Sequence, residues 1–117
     1  MRLRAAAAGL AALAVGLGAF GAHGLRERLS ALPEAGEWWR TATLYLLVHA
    51  AAAAVLPVDR RGARACLLAG VAVFAGTLYA MALGAPRWLG AVTPVGGTLL
   101  IAGWVWLAFA DYRTKLS

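Results

Sequence analysis

Residues 65–83 read ACLLAGVAVFAGTLYAMAL and contain no charged side chain. Because an α-helix rises about 1.5 Å per residue, a run of this length can cross a hydrocarbon layer about 30 Å thick. The run shows no period-two alternation of apolar and polar residues, which argues against a membrane β-strand. The stretch therefore predicts a transmembrane α-helix in an integral membrane protein.

Three further apolar segments complete the pattern. The predicted spans lie at about residues 5–25, 34–56, 65–84 and 94–112, within a single domain that covers residues 1–117. Spans joined by such short connections predict an all-α, four-helix membrane bundle. The apolar run at the N-terminus resembles a secretory signal, but it is long enough to span, so we expect it to be retained.

Two proline positions mark helix starts. Pro33 suits the first turn of the second helix, where its missing N–H costs nothing. Thr93 followed by Pro94 has the pattern of an N-cap residue before a proline at the first helical position. The fourth helix should thus begin at Pro94, after an interfacial connector at residues 88–92. A continuous helix kinked at the proline is the alternative.

Composition agrees with this assignment. The chain has 117 residues, of which 62% are hydrophobic and 14% charged, whereas soluble domains carry roughly 25% charged residues. The net charge of +6 comes from arginines between apolar segments, where they meet lipid headgroups and not nucleic acid. Cys66 is the single cysteine, so an intrachain disulfide is excluded.

The distribution of basic residues predicts the orientation. With four spans, both termini and a water-facing loop at residues 59–64 share one side, which carries seven of the 11 Lys and Arg residues. The other side carries four: Arg26, Arg28, Arg40 and Arg87. The positive-inside rule then predicts a multi-pass protein of the plasma (inner) membrane with both termini in the cytoplasm.

Several polar residues fall inside the predicted spans. We predict that they form one ligand-binding cluster in the outer half of the membrane: His49, Tyr45, His23, Tyr79 and Thr93. Ionisable residues inside a span are costly and often functional, and residues four apart share a helical face, as Tyr45 and His49 do. The alternative is that the two histidines only form hydrogen bonds between helices and fix their packing.

Small residues on the same faces suggest close helix packing. The residues predicted to pack are Gly16, Gly21, Gly76, Gly97 and Trp104. Gly16, Gly18 and Gly21 also have the spacing of a dinucleotide-binding fingerprint, but that motif requires a preceding strand, and here it lies in an apolar helix.

Metal and catalytic sites have little support in the sequence. His23 and His49 differ in predicted depth by about two helical turns, and no acidic residue or cysteine lies near them. Ser30 and Ser117 lie outside the spans, so no Ser–His–acid arrangement forms. We predict no metal ion, no cofactor and no catalytic residue.

Four strings carry a resemblance to a known family. They are GAFGAHG at residues 18–24, TAxxYxxxHA at 41–50, GTLY at 76–79 and VTPVGG at 92–97, the last followed by Gly103 and Trp104. The chain resembles the bacterial membrane family called "domain of unknown function 423", which has small transmembrane relatives in animals. The family often has Ser at the position of Thr77 and Gln at that of Leu46. The resemblance implies a four-span inner-membrane protein and brings no established activity.

These observations favour a non-catalytic small transporter, channel or ligand-binding protein. All five acidic residues lie outside the apolar cores, which argues against proton-coupled export of cationic drugs, so the expected ligand is neutral, anionic or lipidic. The expected partners are membrane lipids, with a homo-oligomer or a larger membrane partner left open. The alternatives are a structural or assembly partner of a larger complex, and an enzyme acting on a lipid or quinone through His49 and Tyr45.

Overall fold

The computed structural model describes residues 2–116, and the side chains of residues 2–113. The described chain is helical and contains no strand. Its α-helices are α1 (Arg2–Ala22), α2 (Arg26–Ser30), α3 (Ala35–Val55), α4 (Arg61–Ala82) and α5 (Thr93–Leu116), with short 3-10 helices at Val58–Arg60 and Arg87–Ala91.

Three helical stretches are long and apolar enough to cross a membrane. They are Arg2–Ala22, Val58–Ala82 and Arg87–Arg113. The predictions of an all-α fold and of transmembrane helices are thereby confirmed. Helix α3 has 21 residues and carries Glu37, Arg40 and His49, and it is not among these three stretches.

The four long helices pack in the order α1, α3, α4, α5. Helices α3 and α4 lie in the middle, while α1 and α5 have little direct contact with each other. The described part of the molecule extends over 55 × 27 × 19 Å. The helices therefore form a long, thin row, and α3 has a different long neighbour on each side.

The interface between α4 and α5 depends on two glycines. A Cβ atom placed on Gly70 would lie 2.9 Å from the backbone nitrogen of Leu100, and one placed on Gly96 would lie 2.9 Å from the Cα atom of Phe74. Real side chains do not tolerate such distances, so only glycine lets the two backbones touch here. Leu67 and Val71 of α4 are completely buried beside this crossing.

The predicted packing residues have different outcomes. Gly21 packs closely against the indole ring of Trp39, and the Cβ position of Gly97 lies 3.7 Å from the Phe74 ring, an ordinary contact. Gly16 and Gly76 are exposed, and apart from neighbouring atoms of their own helix no described atom lies within 4 Å of their Cβ positions. These two face outward and not toward a neighbouring helix, so packing within the chain does not need them there. Trp104 remains 43% exposed.

The connection between α4 and α5 agrees with the predicted break. Helix α4 ends at Ala82, and Gly84 follows two residues later with a φ of +106°, which suits glycine. The amides of Gly84 and Ala85 donate to the carbonyls of Met81 and Ala80, which closes the last turn. A separate 3-10 helix follows, and α5 begins at Thr93. Thr93 does not act as the predicted N-cap, because its hydroxyl donates to the carbonyl of Leu89.

At the opposite end, arginines hold the last turn of α3. Arg64 is 2% exposed, and its guanidinium donates to the carbonyls of Ala53 at 2.8 Å, Pro57 at 2.9 Å and Leu56. Arg4 of α1 donates to the carbonyl of Ala54 at 3.2 Å. The last carbonyls of a helix lack partners in the helix itself, and these two side chains supply them. Arg64 is therefore buried, although its place in a charged segment predicted a water-facing position.

Candidate functional site

His49 is held in a fixed orientation on α3. Its side chain is 7% exposed, and its Nδ1 lies 2.7 Å from the carbonyl oxygen of Tyr45, one turn earlier. A carbonyl oxygen can only accept, so Nδ1 carries the hydrogen and donates it. No other residue among the described side chains bonds to this ring. Nε2 is therefore the atom that remains for a ligand.

Aromatic rings surround this histidine. The imidazole stacks on Tyr45, with ring centroids 5.7 Å apart, and meets Trp104 of α5 edge-on at 5.8 Å. Tyr45 also contacts Phe74 of α4, with centroids 4.4 Å apart. Tyr45 itself is 38% exposed. This group links α3 to α4 and α5 at the edge of the row.

The Tyr79 side chain does not lie beside His49 but bonds to another residue of α3. Its hydroxyl shares a hydrogen bond of 2.7 Å with the hydroxyl of Thr43, and its ring meets Trp39 edge-on with centroids 4.6 Å apart. The Trp39 indole N–H in turn donates to the carbonyl of Leu17 in α1 at 2.8 Å. Tyr79 thus belongs to a polar chain that runs from α4 through α3 to α1.

Thr93 and His23 occupy two further locations. The hydroxyl of Thr93 lies 2.6 Å from that of Thr77, whose oxygen also lies 2.9 Å from the carbonyl oxygen of Val73 one turn back. His23 is exposed just beyond the end of α1. The predicted single cluster is therefore divided: Tyr45 and His49 meet each other, and the other three residues have separate surroundings.

The two faces of α3 explain this division. Helical periodicity shows which residues share a stripe, but it does not show which neighbour each residue meets. Because α3 lies between α1 and α4, its residues are divided between two interfaces. Trp39 and Thr43 turn toward α1 and the Tyr79 side of α4, while Tyr45 and His49 turn toward Phe74 and Trp104.

A groove of about 770 Å³ lies between α1, α2 and α3. None of the five predicted ligand-binding residues lines it. Trp39, which is 4% exposed, forms part of its wall, and Leu44 and Leu47 are exposed beside it at 59% and 38%. The lining residues are Gly18, Gly21, Ala22, Arg26, Leu29, Ser30, Gly36, Trp39, Arg40, Thr43, Leu44 and Leu47.

Two arginines give this groove a positive end. Arg26 and Arg40 are exposed, and within the described part of the chain neither guanidinium has a hydrogen-bond or ion-pair partner. The other arginines at this end are engaged, because Arg87 pairs with Glu34 at 3.0 Å and Arg28 donates to the carbonyl of Leu83 at 2.9 Å. The groove therefore combines apolar walls with two unpaired cations.

Sequence reasoning did not find this groove. The available signal was the string Trp38-Trp39-Arg40 near the start of the second predicted span. An aromatic residue beside a cation there also suits an amphipathic ligand. As for metals, no group of three His, Cys, Asp or Glu side chains in the described residues could hold an ion.

Comparisons with known proteins give one consistent family. Residues 17–97 match the family described as "Protein of unknown function (DUF423)". A "UPF0382 membrane protein" of Staphylococcus epidermidis is 40% identical over 110 residues, covering 88% of each chain. Proteins of the same description from Haemophilus influenzae and Schizosaccharomyces pombe are 37% identical over 108 residues and 36% identical over 102 residues. They cover 86% and 79% of this chain, and 86% of their own length in both cases. No solved structure matches.

Proposed function

The chain belongs to the DUF423 family of membrane proteins, and we propose that it is a non-catalytic, multi-pass protein that binds a lipidic ligand in the groove between α1, α2 and α3. The observation that carries the proposal is the combination, in one groove of about 770 Å³, of apolar walls with two unpaired arginines. That volume lies within the range of roughly 300–1,000 Å³ typical of small-molecule sites.

Four spans form part of the proposal. Helix α3 has 21 residues and a length of about 31 Å, and it packs between α1 and α4, which are both apolar enough to cross a membrane. A helix between two spanning helices would cross with them. An even number of spans leaves both termini on one side, and the excess of Lys and Arg on that side favours the cytoplasmic face of the plasma membrane.

The shape of the groove favours a lipid over a water-soluble ligand. Leu44 and Leu47 are exposed along its wall, so an acyl chain can enter sideways from the bilayer and lie against apolar side chains. Arg26 and Arg40 would meet the polar end of the same molecule. Guanidinium groups bind phosphate and carboxylate with charge-assisted hydrogen bonds.

The groove does not have the groups of an acid–base catalyst. Its hydroxyl groups belong to Ser30, which donates to backbone carbonyls of its own helix, and to Thr43, which bonds to Tyr79. No His, Asp, Glu or Cys side chain lines it. Binding, and not chemical conversion, is the function that this arrangement supports.

Native mass spectrometry of the full chain extracted in a mild detergent tests the proposal. We expect a retained lipid that the variant Leu44→Trp, which fills the groove, does not retain. Val48→Trp is the matched control, because Val48 is 47% exposed on the same helix but does not line the groove. Equal lipid retention by the two variants, with both folded, would contradict the proposal.

The second candidate function is that of an assembly partner. The outer face of α1 supports it: Gly9 and Gly16 are exposed, and no described atom of another helix lies within 4 Å of their Cβ positions. Such a face would let a helix of another subunit approach closely. If this is the function, Gly9→Leu and Gly16→Leu should reduce the size of the detergent-extracted complex on size-exclusion chromatography without unfolding the chain.

A further inference from the structure

A second, smaller cavity lies at the end of the molecule where α1 and α4 begin. Its volume is about 250 Å³, and it is lined by Arg2, Leu3, Val58, Arg61 and Arg64. Three of these five residues are arginines, and none is acidic. We call these three the arginine cradle. It lies at the opposite end of α1 from the groove.

Arg64 is the buried member of the cradle. Its Nε and one terminal nitrogen, Nη2, donate to the backbone carbonyls at the end of α3. The other terminal nitrogen, Nη1, has no partner within the described residues. Every fully buried side-chain nitrogen among the described residues has a hydrogen-bond partner. Because Nη1 has none, it must be partly exposed, and the cavity is the space that Arg64 lines. A side chain that is otherwise buried thus presents free N–H donors to this space.

The acidic residues at this end do not neutralise the cradle. Asp59 and Asp111 both pair with Arg60, at 3.0 Å and 3.1 Å. Arg2 and Arg61 are exposed, and neither guanidinium has a bonded partner in the part of the chain that the structure describes. The positive N-terminal ends of α1 and α4 lie at the same place and add to the potential. An anion would therefore find three guanidinium groups there.

We propose that the arginine cradle binds the phosphate headgroup of an anionic phospholipid. The cavity favours a lipid over free phosphate, because Leu3 and the 61% exposed Val58 form an apolar edge along which an acyl chain can continue. Basic pockets between spanning helices are a recognised way to hold anionic headgroups. The lipid would bridge the first turns of α1 and α4 at the end where Arg4 and Arg64 hold α3.

Titration of the full chain in neutral detergent with phosphatidylglycerol or phosphatidylcholine, followed by native mass spectrometry, tests the cradle. We expect binding of phosphatidylglycerol to weaken about fivefold for each of Arg2→Gln and Arg61→Gln, with little change for phosphatidylcholine. Arg113→Gln removes one exposed charge at the same end and does not line the cavity, so it should leave binding unchanged. Arg64 is left intact because it holds α3.

Two outcomes would overturn the inference. One is equal phosphatidylglycerol binding by the Arg2→Gln/Arg61→Gln double variant and by Arg113→Gln. The other is inorganic phosphate alone displacing phosphatidylglycerol at matched millimolar concentration, which would show a site for an ion. The variant Arg40→Gln, which changes the groove and not the cradle, separates the two sites. If only the Arg2→Gln/Arg61→Gln variant loses lipid, the result supports the cradle and contradicts the groove proposal. If only Arg40→Gln loses lipid, the result rejects the cradle and leaves the groove proposal standing.

Discussion

The α4–α5 and α1–α3 interfaces both rely on glycine, but they use it in opposite ways. At α4–α5, Gly70 and Gly96 lie against backbone atoms of the partner helix. At α1–α3, Gly21 lies against the indole ring of Trp39, and Gly18 lies near the side chain of Thr43. The crossing at Gly70 and Gly96 brings two backbones together, whereas Gly21 makes room for an aromatic side chain, as Gly62 of α4 does for the Trp106 ring of α5.

This difference explains where the groove forms. Backbones in direct contact leave no space between helices, so the α4–α5 crossing is closed. At the α1–α3 interface the Trp39 ring packs against Gly21, and both residues line the groove. At Gly70 and Gly96 glycine lets two backbones touch, whereas at Gly21 it accommodates an aromatic ring that lines the groove.

The largest expected effect is at the closed interface. Gly96→Ala would place a methyl group against backbone atoms of Phe74 and Gly70, which cannot move aside without shifting a helix. We expect a loss of about 3 kcal/mol in the free energy of unfolding, measured in detergent with a chemical denaturant. Gly97→Ala is the control, because its methyl group meets only the Phe74 ring at an ordinary distance. A similar loss in both variants would show that α4 and α5 do not cross closely at Gly96.

A smaller effect is expected at the α1–α3 interface. Trp39→Phe keeps an aromatic ring against Gly21 and removes the indole N–H that donates to the carbonyl of Leu17. We expect a loss of about 1 kcal/mol in the free energy of unfolding, the usual contribution of one hydrogen bond. Trp38→Phe supplies the comparison, because Trp38 is only partly buried. No difference between the two variants would mean that this bond does not hold α1 to α3.

The hydrogen bond between α3 and α4 gives the next prediction. Thr43→Val and Tyr79→Phe each remove one side of the same bond of 2.7 Å. We expect each variant to lose about 1 kcal/mol of stability, and the double variant to lose less than the sum of the two. Additive losses in the double-mutant cycle would show that the two hydroxyl groups do not interact.

The smallest effect is expected at glycines that face no helix. Gly16→Ala and Gly76→Ala should leave stability unchanged or raise it by about 0.5 kcal/mol, because alanine is the better helix former and the space around both positions is open. Thermal unfolding of the two variants beside Gly96→Ala measures the contrast. A marked loss at Gly16 would indicate that another subunit covers this face of α1.

The sequence predicted the positions of the helices better than it predicted which side chains meet between them. Apolar length was enough to place α1, α4 and α5, and the Thr93-Pro94 pair placed the start of α5 within one residue. These features depend on local chemistry, which a single sequence carries in full. The family resemblance was also confirmed. It rests on short sequence motifs, which can be identified without knowing how the helices pack.

The candidate site required information that a single sequence lacks. Gly70 and Gly96 form the close crossing, but nothing in the composition distinguishes them from the exposed Gly16 and Gly76. Tyr79 and His49 were predicted to lie in one cluster in the outer half of the membrane, which assumes that both side chains point to the inside of the bundle. In a row of helices, a middle helix has a neighbour on each side, so two buried residues can face different interfaces. Tyr79 bonds to Thr43, whereas His49 packs against Trp104.

The capping of α3 by Arg64 has a consequence for how the chain enters the membrane during synthesis. Helix α3 is not among the stretches that are apolar enough to cross a membrane by themselves. The carbonyl groups at its end accept hydrogen bonds from Arg64, which belongs to α4 and is synthesised after α3. If α3 spans the membrane as proposed, α3 and α4 should insert together as a hairpin, with α1 already in place to supply Arg4. A nascent chain stopped between α3 and α4 should leave α3 outside the bilayer in a glycosylation-mapping assay.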